Sequence, residues 1–424
     1  MSTIGKKSPV FPFFFLFLCG LSLTISVFAQ QTDNLYVSSF HQVPEMTPQF
    51  PLKTAAMIYS DSLVALALEN IRRFPTACSI KDDILKAANR MLTFTDDELE
   101  VLMADARVPR GFDLCAKGCP VHGDSVFKVG GFYPRIIDMQ HPFQVRCPID
   151  GQVFPSNDYA GYYQSGFKDK IDRNVEYTDD GWGWIAPDGE RYWFVAYANH
   201  WLWYDYLLPG MLNLARAYLL TDDNRYAAKV AFMLYRLASV YPSMNHEDQS
   251  RYGLMSKSHG GCYPGKLVNH IWETNVIDWA AEAYDIVWKT VDADTSLQKR
   301  AGKTGEELRA FIEANLLEDG LDALDTEKIK GNYGTHQRAM ITVQLVRQYA
   351  GIEEALHKIL YEPSSVNLQN GVKYTLYNNI FRDGQPWESP GYNAGWLHSF
   401  MQIEEKLPAD YKELYASFRF RKIF

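Results

Sequence analysis

Two stretches of the sequence carry side chains suited to acid–base chemistry on a polar substrate. The first is Lys330-Gly331-Asn332-Tyr333-Gly334-Thr335-His336-Gln337-Arg338. Asn332 and His336 are four apart, so within one helix an amide and an imidazole would share a face. Such a pair can hydrogen-bond a substrate carboxylate or move a proton. The plainer reading is a capped helix N-terminus with His336 filling a surface groove. The second stretch runs from Arg382 to Asn393, an irregular loop by its prolines and glycines, with Asp383, Glu388 and Tyr392 close together. Its carboxylates, Asp383 and Glu388, suit hydrolysis of a glycosidic bond. Its phenol suits proton donation to a leaving group, and the plainer reading is a rigid turn with Glu388 capping the next helix.

Two further clusters bear on binding. Cys119-Pro120-Val121-His122-Gly123 is echoed by Cys147-Pro148-Ile149-Asp150-Gly151. Cys115, Cys119, His122 and Cys147 could together bind a structural zinc ion, and a disulfide-stapled pair of turns accounts for the same residues. Trp182, Trp184, Trp193, Trp201 and Trp203 are five of the ten tryptophans. Aromatic rings in a cleft stack on sugar faces, although large helical proteins also bury Trp for area. No phosphate-binding loop, dinucleotide fingerprint, zincin motif or nucleophile elbow occurs at a credible position.

The elements that must position these groups are mostly helices. Lys6 and Lys7 precede an apolar run to Val27, and Val27-Phe28-Ala29 supplies small-residue cleavage positions, so residues 1–29 read as a signal peptide. That predicts a periplasmic or secreted protein with no stable membrane insertion, and no later stretch reaches spanning length. Helical spacing covers 61–74 and 80–94, and Thr95-Asp96-Asp97-Glu98 starts a third helix. Residues 109–190 form an irregular segment rich in Cys, Gly and aromatics. Helical spacing then returns: 200–220 (broken or kinked at Pro209-Gly210), 223–240, 267–290, 304–317, 335–350, 352–361, 366–380 and 393–407. Strands and helices do not alternate, which argues against a doubly wound sheet or a β/α barrel. The expected fold is mainly α: an incomplete (α/α) toroid, built from residues 30–108 and 191–424 around the irregular insertion. A net charge of −9 with 22% charged residues argues against a nucleic-acid partner.

Over roughly residues 190–407 the chain resembles the heparinase II/III-like polysaccharide lyases, relatives of several alginate and oligoalginate lyases. The resemblance rests on the helices from His200 to Tyr241, the Asn332-Tyr333-Gly334-Thr335-His336 turn, and Asp383-Gly384 followed by Glu388-Ser389-Pro390-Gly391-Tyr392. It implies an α/α toroid followed by an antiparallel β-sandwich, and β-elimination of acidic, uronate-containing glycans without a required cofactor. Asn332 and Tyr392 match two active-site positions of the family. Asn332, with His336, would neutralise the uronate carboxylate, and Tyr392 would act as acid and also as base. Tyr333, Arg338, Arg382, Glu388, Trp182, Trp184 and Trp201 are the implied substrate contacts. Two departures stand out. Tyr333 follows the Asn where alginate-cleaving members tend to place His, and the sequence stops at Phe424 before any strand-rich region, so the sandwich is expected to be missing and the toroid truncated. An α/α-toroid glycoside hydrolase using Asp383 and Glu388, and a non-catalytic glycan-binding protein, are the competing readings.

Overall fold

The computed structural model describes residues 45–134, 136–251, 264–348, 351–364, 370–386 and 389–423. The expected signal peptide lies outside these residues, as does Glu388. Helix α1 (Asp61–Arg73) starts where the Ser60 hydroxyl accepts the Leu63 N–H, and α2 (Pro75–Leu92) carries Pro75 in its first turn. Proline is favoured there, because that N–H has no helical partner in any case. Helical spacing in the sequence begins only at residue 80, so α2 starts earlier than expected. α3 (Asp96–Leu102) is closed by a full capping box between Thr95 and Glu98, as the sequence predicts.

The insertion is irregular but folded. Strands β1 (Ile136–Ile137), β2 (Val145–Arg146) and β3 (Val153–Phe154) form an antiparallel sheet in chain order, and β4 (Trp184–Ile185) pairs with β5 (Arg191–Tyr192). Among them lie two short helices, α4 (Ser125–Gly130) before β1 and α5 (Tyr159–Gln164) after β3. Among the described residues no barrel closes, and no helix is long and apolar enough to cross a membrane.

From Phe194 onward the chain is helical. α6 (Phe194–Trp201), a π-helical turn (Leu202–Leu207) and α7 (Leu208–Thr221) run on without the break expected at Pro209-Gly210. The wide turn just upstream accommodates the proline. Gly210 is needed for packing: a Cβ there would lie 2.6 Å from the Met91 sulfur of α2. Then follow α8 (Asn224–Val240), α9 (His246–Gln249), α10 (His270–Ala293), α11 (Thr295–Ala301) and α12 (Gly305–Ile312). A second π-helical turn (Glu313–Glu318) leads to α13 (Asp319–Asp325). The described helices end with α14 (Thr335–Arg347), α15 (Ile352–Tyr361), α16 (Val372–Asn378), α17 (Pro390–Lys406) and α18 (Phe418–Ile423).

Helix α10 packs against α7, α8, α12 and α14, and α14 packs in turn on α15 and α17. It carries four buried acids, Glu273, Asp278, Glu282 and Asp285. Each is met by donors from elsewhere in the chain. Glu273 accepts the N–H groups of Leu267 and Val268 and the Tyr241 hydroxyl. Asp278 pairs with Arg338 at 2.9 Å and Lys406 at 2.8 Å. Glu282 pairs with Arg216 and accepts the Tyr59 hydroxyl at 2.6 Å. Asp285 pairs with Lys53 and accepts the Met57 and Ile58 N–H groups. Through these bonds the extended segment 45–59 is strapped to the helices, helped by Glu313 and Glu318, which accept its N–H groups.

Burial works to raise the Asp278 carboxyl, but Lys406 and Arg338 hold it down at about 2. A carboxylate depressed on folding stabilises the protein above its unfolded pKa of about 3.9, and that contribution is lost as pH falls toward 2. Asp278→Asn is therefore expected to lower unfolding stability at neutral pH by about 3–5 kcal/mol, because the buried Arg338 would lose its ion-pair partner and Lys406 would keep only Glu282. Denaturant titration at pH 7 and pH 3 checks both points. The gap between wild type and variant should narrow at the lower pH.

Candidate functional site

Helix α10 presents a second row beside its acids. Trp272, Asn275 and Trp279, spaced i, i+3 and i+7, are only half-buried on a helix that is otherwise mostly covered. They meet the end of α6 and the π-helical turn after it. The Trp201 ring lies 5.3 Å from Trp272, and the Tyr204 ring lies 5.9 Å from Trp272 and 5.8 Å from Trp279. The insertion closes one side with Tyr133, whose ring lies 4.5 Å from Trp201 and 6.0 Å from Trp272. Burial first, then Asp113 and Tyr392, push the Tyr133 phenol up to about 12. Tyr392 itself is 51% exposed in the first turn of α17. Trp201, marked by the sequence, thus belongs to this aromatic cluster, and Tyr392, also marked, is near enough to Tyr133 to act on it electrostatically. Tyr133, Tyr204, Trp272 and Asn275 join them without a motif of their own; the i, i+3, i+7 spacing of the α10 row is the one signal that could have found it.

The polar groups behind this cleft are organised. Asn275 Nδ2 donates to the Tyr204 hydroxyl at 2.9 Å, while Arg338 donates to Asn275 Oδ1 and Gln402 Oε1. Arg338 is buried and ion-paired with Asp278, so it supports Asn275 from behind rather than contacting substrate as its residue type suggests. Burial raises the Tyr204 pKa, against the opposing pull of Asn275 and Arg338. His200, fully buried beside Trp201 and Trp272, has no hydrogen-bond partner on either ring nitrogen among the described residues. Burial, with His246 and Arg110, holds its pKa well below the ordinary value, so the ring is neutral.

The Asn332 turn lies at the edge of this arrangement. A Cβ on Gly331 would lie 2.4 Å from the Thr274 hydroxyl of α10, and one on Gly334 would lie 2.7 Å from Ser399 of α17. The turn is therefore wedged between the helices that carry Asn275 and Tyr392, with Asn332 exposed. Tyr333 is buried: its hydroxyl donates to the carbonyls of Asn370 and Gly371, and its ring lies 4.4 Å from Trp396. It is a packing residue in the structure. His336 does not share a helix face with Asn332, because α14 begins only at Thr335. It is buried and lines a separate cavity of about 240 Å³ with Asp325, Glu327, Lys358 and Glu362. Burial, and Lys330 secondarily, lower its pKa to about 4.

The remaining sequence candidates scatter. Trp184 lies against Tyr177 and Tyr192 within the insertion, and Trp182 stacks under the Arg251 guanidinium at 4.0 Å. Arg382 and Asp383 are exposed, and the Asp383 carboxylate accepts the Gln385 N–H. Glu388, the other half of the expected carboxylate pair, lies outside the described residues.

Three of the four cysteine-site candidates converge. Cys119 Sγ and Cys147 Sγ are 3.8 Å apart, and His122 Nδ1 lies 3.7 and 3.5 Å from them. This group can hold a metal ion. Cys115 stands apart; burial raises its pKa, and the Tyr192 hydroxyl is its hydrogen-bond partner. The two sulfurs are not bonded, since a disulfide requires about 2.05 Å.

Asn275→Ala is expected to cost about 1–3 kcal/mol of stability, because it leaves a buried Arg338 donor without its acceptor and removes the donor to Tyr204. Chemical denaturation checks this, and a change below about 0.5 kcal/mol would mean the Arg338–Asn275–Tyr204 chain supports nothing. No family model matches the chain, and no curated protein matches it.

Proposed function

We propose that this chain is an exported polysaccharide lyase that cleaves uronate-containing glycans by β-elimination. In this reading the helices form an (α/α) toroid, the aromatic cleft is its glycan groove, and the Cys119–His122–Cys147 group holds a structural zinc ion. The observation that supports the reading is the ring cluster of Tyr133, Trp201, Tyr204 and Trp272, with the exposed Tyr392 near enough to act electrostatically on Tyr133 and Asn332 exposed on the wedged turn. The half-buried Trp272, Trp279 and Tyr133 offer faces on which sugar rings stack, with the buried Trp201 behind them.

The chemistry follows from the acidity of a uronate. The C5 proton is held too tightly for removal until the adjacent carboxylate is neutralised, and in this reading the Asn332 amide donates to it as charge develops. A base removes the C5 proton, the electron pair forms the C4–C5 double bond, and the C4–O4 bond breaks. The departing O4 takes a proton from an acid. Tyr392 is the exposed phenol assigned to this transfer. Tyr204 is a second donor: its oxygen accepts from Asn275, its own proton has no acceptor among the described residues, and burial keeps it protonated. Arg382, exposed on the loop before α17, is available to neighbouring carboxylates or sulfates.

Incubation with alginate, heparan, chondroitin and hyaluronan should produce near-ultraviolet absorbance from a 4,5-unsaturated uronate on at least one of them. Tyr392→Phe should abolish it with the circular dichroism spectrum unchanged, and Tyr204→Phe should slow it by about 10²–10⁴-fold. Cleavage that yields only saturated ends would replace the lyase with a hydrolase. Full activity in both variants would move the acid elsewhere.

A further inference from the structure

Cys119, His122 and Cys147 have the internal distances of a tetrahedral metal centre. Zinc binds sulfur at about 2.3 Å and imidazole nitrogen at about 2.0–2.1 Å, so tetrahedral angles put the sulfurs about 3.8 Å apart and each sulfur about 3.6 Å from the nitrogen. The structure has 3.8 Å for the sulfur pair and 3.7 and 3.5 Å for the two sulfur–nitrogen pairs. Both cysteines open tight turns that position them. Cys119 and Gly123 exchange backbone hydrogen bonds at 2.9 and 3.0 Å, and the Gly151 N–H donates to the Cys147 carbonyl at 2.9 Å. Gly123 and Gly151 take the positive φ angles that close these turns. The N–H groups of Ile149 and Asp150 are directed at the Cys147 sulfur, as suits a thiolate ligand. The Asp150 carboxylate lies 3.7 Å from His122 Nε2, the ring nitrogen that does not face the two sulfurs. At that distance it is an ion-pair neighbour rather than a hydrogen-bond partner, on the side from which a carboxylate orients a metal-binding imidazole once it closes by about 1 Å.

The two turns also bracket the segment that bears Tyr133. Everything between Cys119 and Cys147, including α4 and the turn 130–134 that bears Tyr133, is anchored at its ends by these two residues. The turn itself rests on the second cysteine turn: a Cβ on Gly130 would lie 2.8 Å from Pro134 and 3.3 Å from the Pro148 ring. From there Tyr133 reaches Trp201.

We infer that a zinc ion bound by Cys119, Cys147 and His122, with Asp150 orienting His122, clamps the 119–147 loop and so fixes Tyr133 as a wall of the aromatic cleft. The clamp rests on the proposed glycan-cleaving function only in naming what the cleft holds. The donor set of two thiolates and an imidazole selects zinc over magnesium or calcium, which prefer oxygen. Asp150 is a positioning residue, and metal binding by thiolates releases their protons to solvent.

The test uses the full-length protein and zinc alone. Elemental analysis after expression with zinc should give about one equivalent, and Asp150→Asn should keep that stoichiometry with affinity lowered about 10–100-fold in a competition titration with a chromogenic chelator. Hydrogen exchange with mass spectrometry should show lost protection across 120–146, including 130–134, once zinc is stripped, and recovery when it is restored. Less than a tenth of an equivalent, or a Cys119–Cys147 disulfide found by peptide mapping, would overturn the site. Deprotection confined to the two cysteine turns would overturn the clamp while leaving the site. None of these readouts involves a glycan, so a lyase assay that fails on every substrate would not alter what they show about the metal.

Discussion

Four carboxylates buried on one helix set the terms for the rest of this structure. An unpaired buried carboxylate costs several kcal/mol, so Glu273, Asp278, Glu282 and Asp285 can be buried on α10 only if donors converge on all of them. The donors come from widely separated parts of the chain: Lys53, Tyr59 and the N–H groups of the 57–58 segment, Arg216 of α7, Tyr241, Arg338 of α14 and Lys406 of α17. Lys406 bridges two of the acids, lying 2.8 Å from Asp278 and 3.2 Å from Glu282. Apolar packing would tolerate small slides of these elements. A set of interlocked charges does not, and it fixes both the strap at 45–59 and the approach of α17 to α10.

That rigidity reaches the cleft by a short route. Asp278 holds Arg338, Arg338 holds Asn275, and Asn275 donates to the Tyr204 hydroxyl. The helix that anchors the fold therefore also positions a phenol within the aromatic cluster. The π-helical turn at Leu202–Leu207 has a part in this, because the wide turn carries Tyr204 between Trp201 and the continuing α7. Function is commonly supported by such a rigid frame, with the reacting groups on elements whose own positions are over-determined.

Much of the helical frame is legible in the sequence because caps and 3.6-residue spacing are local signals. The Thr95 capping box, α8 and α14 follow from a few adjacent residues each. The buried acids are not legible, for a physical reason. Asp278, Glu282 and Asp285 at i, i+4 and i+7 look like the solvated face of an amphipathic helix, and only tertiary partners reveal that the face is buried. The same blindness misplaces Arg338, which has the right type for a carboxylate clamp but spends its charge on Asp278. The expected pairing of Asn332 with His336 fails differently. Their spacing means a shared face only inside a helix, and α14 starts between them. Tyr133 lies in a segment without periodicity, and only the fold brings it against Trp201 and Trp272.

The insertion is where local and tertiary signals meet. Its paired Cys-Pro turns are visible as a repeated pattern, but sequence cannot say which of Cys115, Cys119, His122 and Cys147 converge. The structure selects three and leaves Cys115 to Tyr192. The selection follows from β2, which pairs with β1 and β3 and delivers Cys147 directly after Arg146, opposite the Cys119 turn. The loop between the two cysteines is also held by buried apolar side chains, Val126, Phe143 and Val145 among them, so the cysteine turns add to that packing rather than replace it. One side of the cleft is thus fixed by charges buried on α10. The other, carrying Tyr133, is held by that packing, a small sheet and two cysteine turns, and of these the turns are the part that can respond to a bound ion.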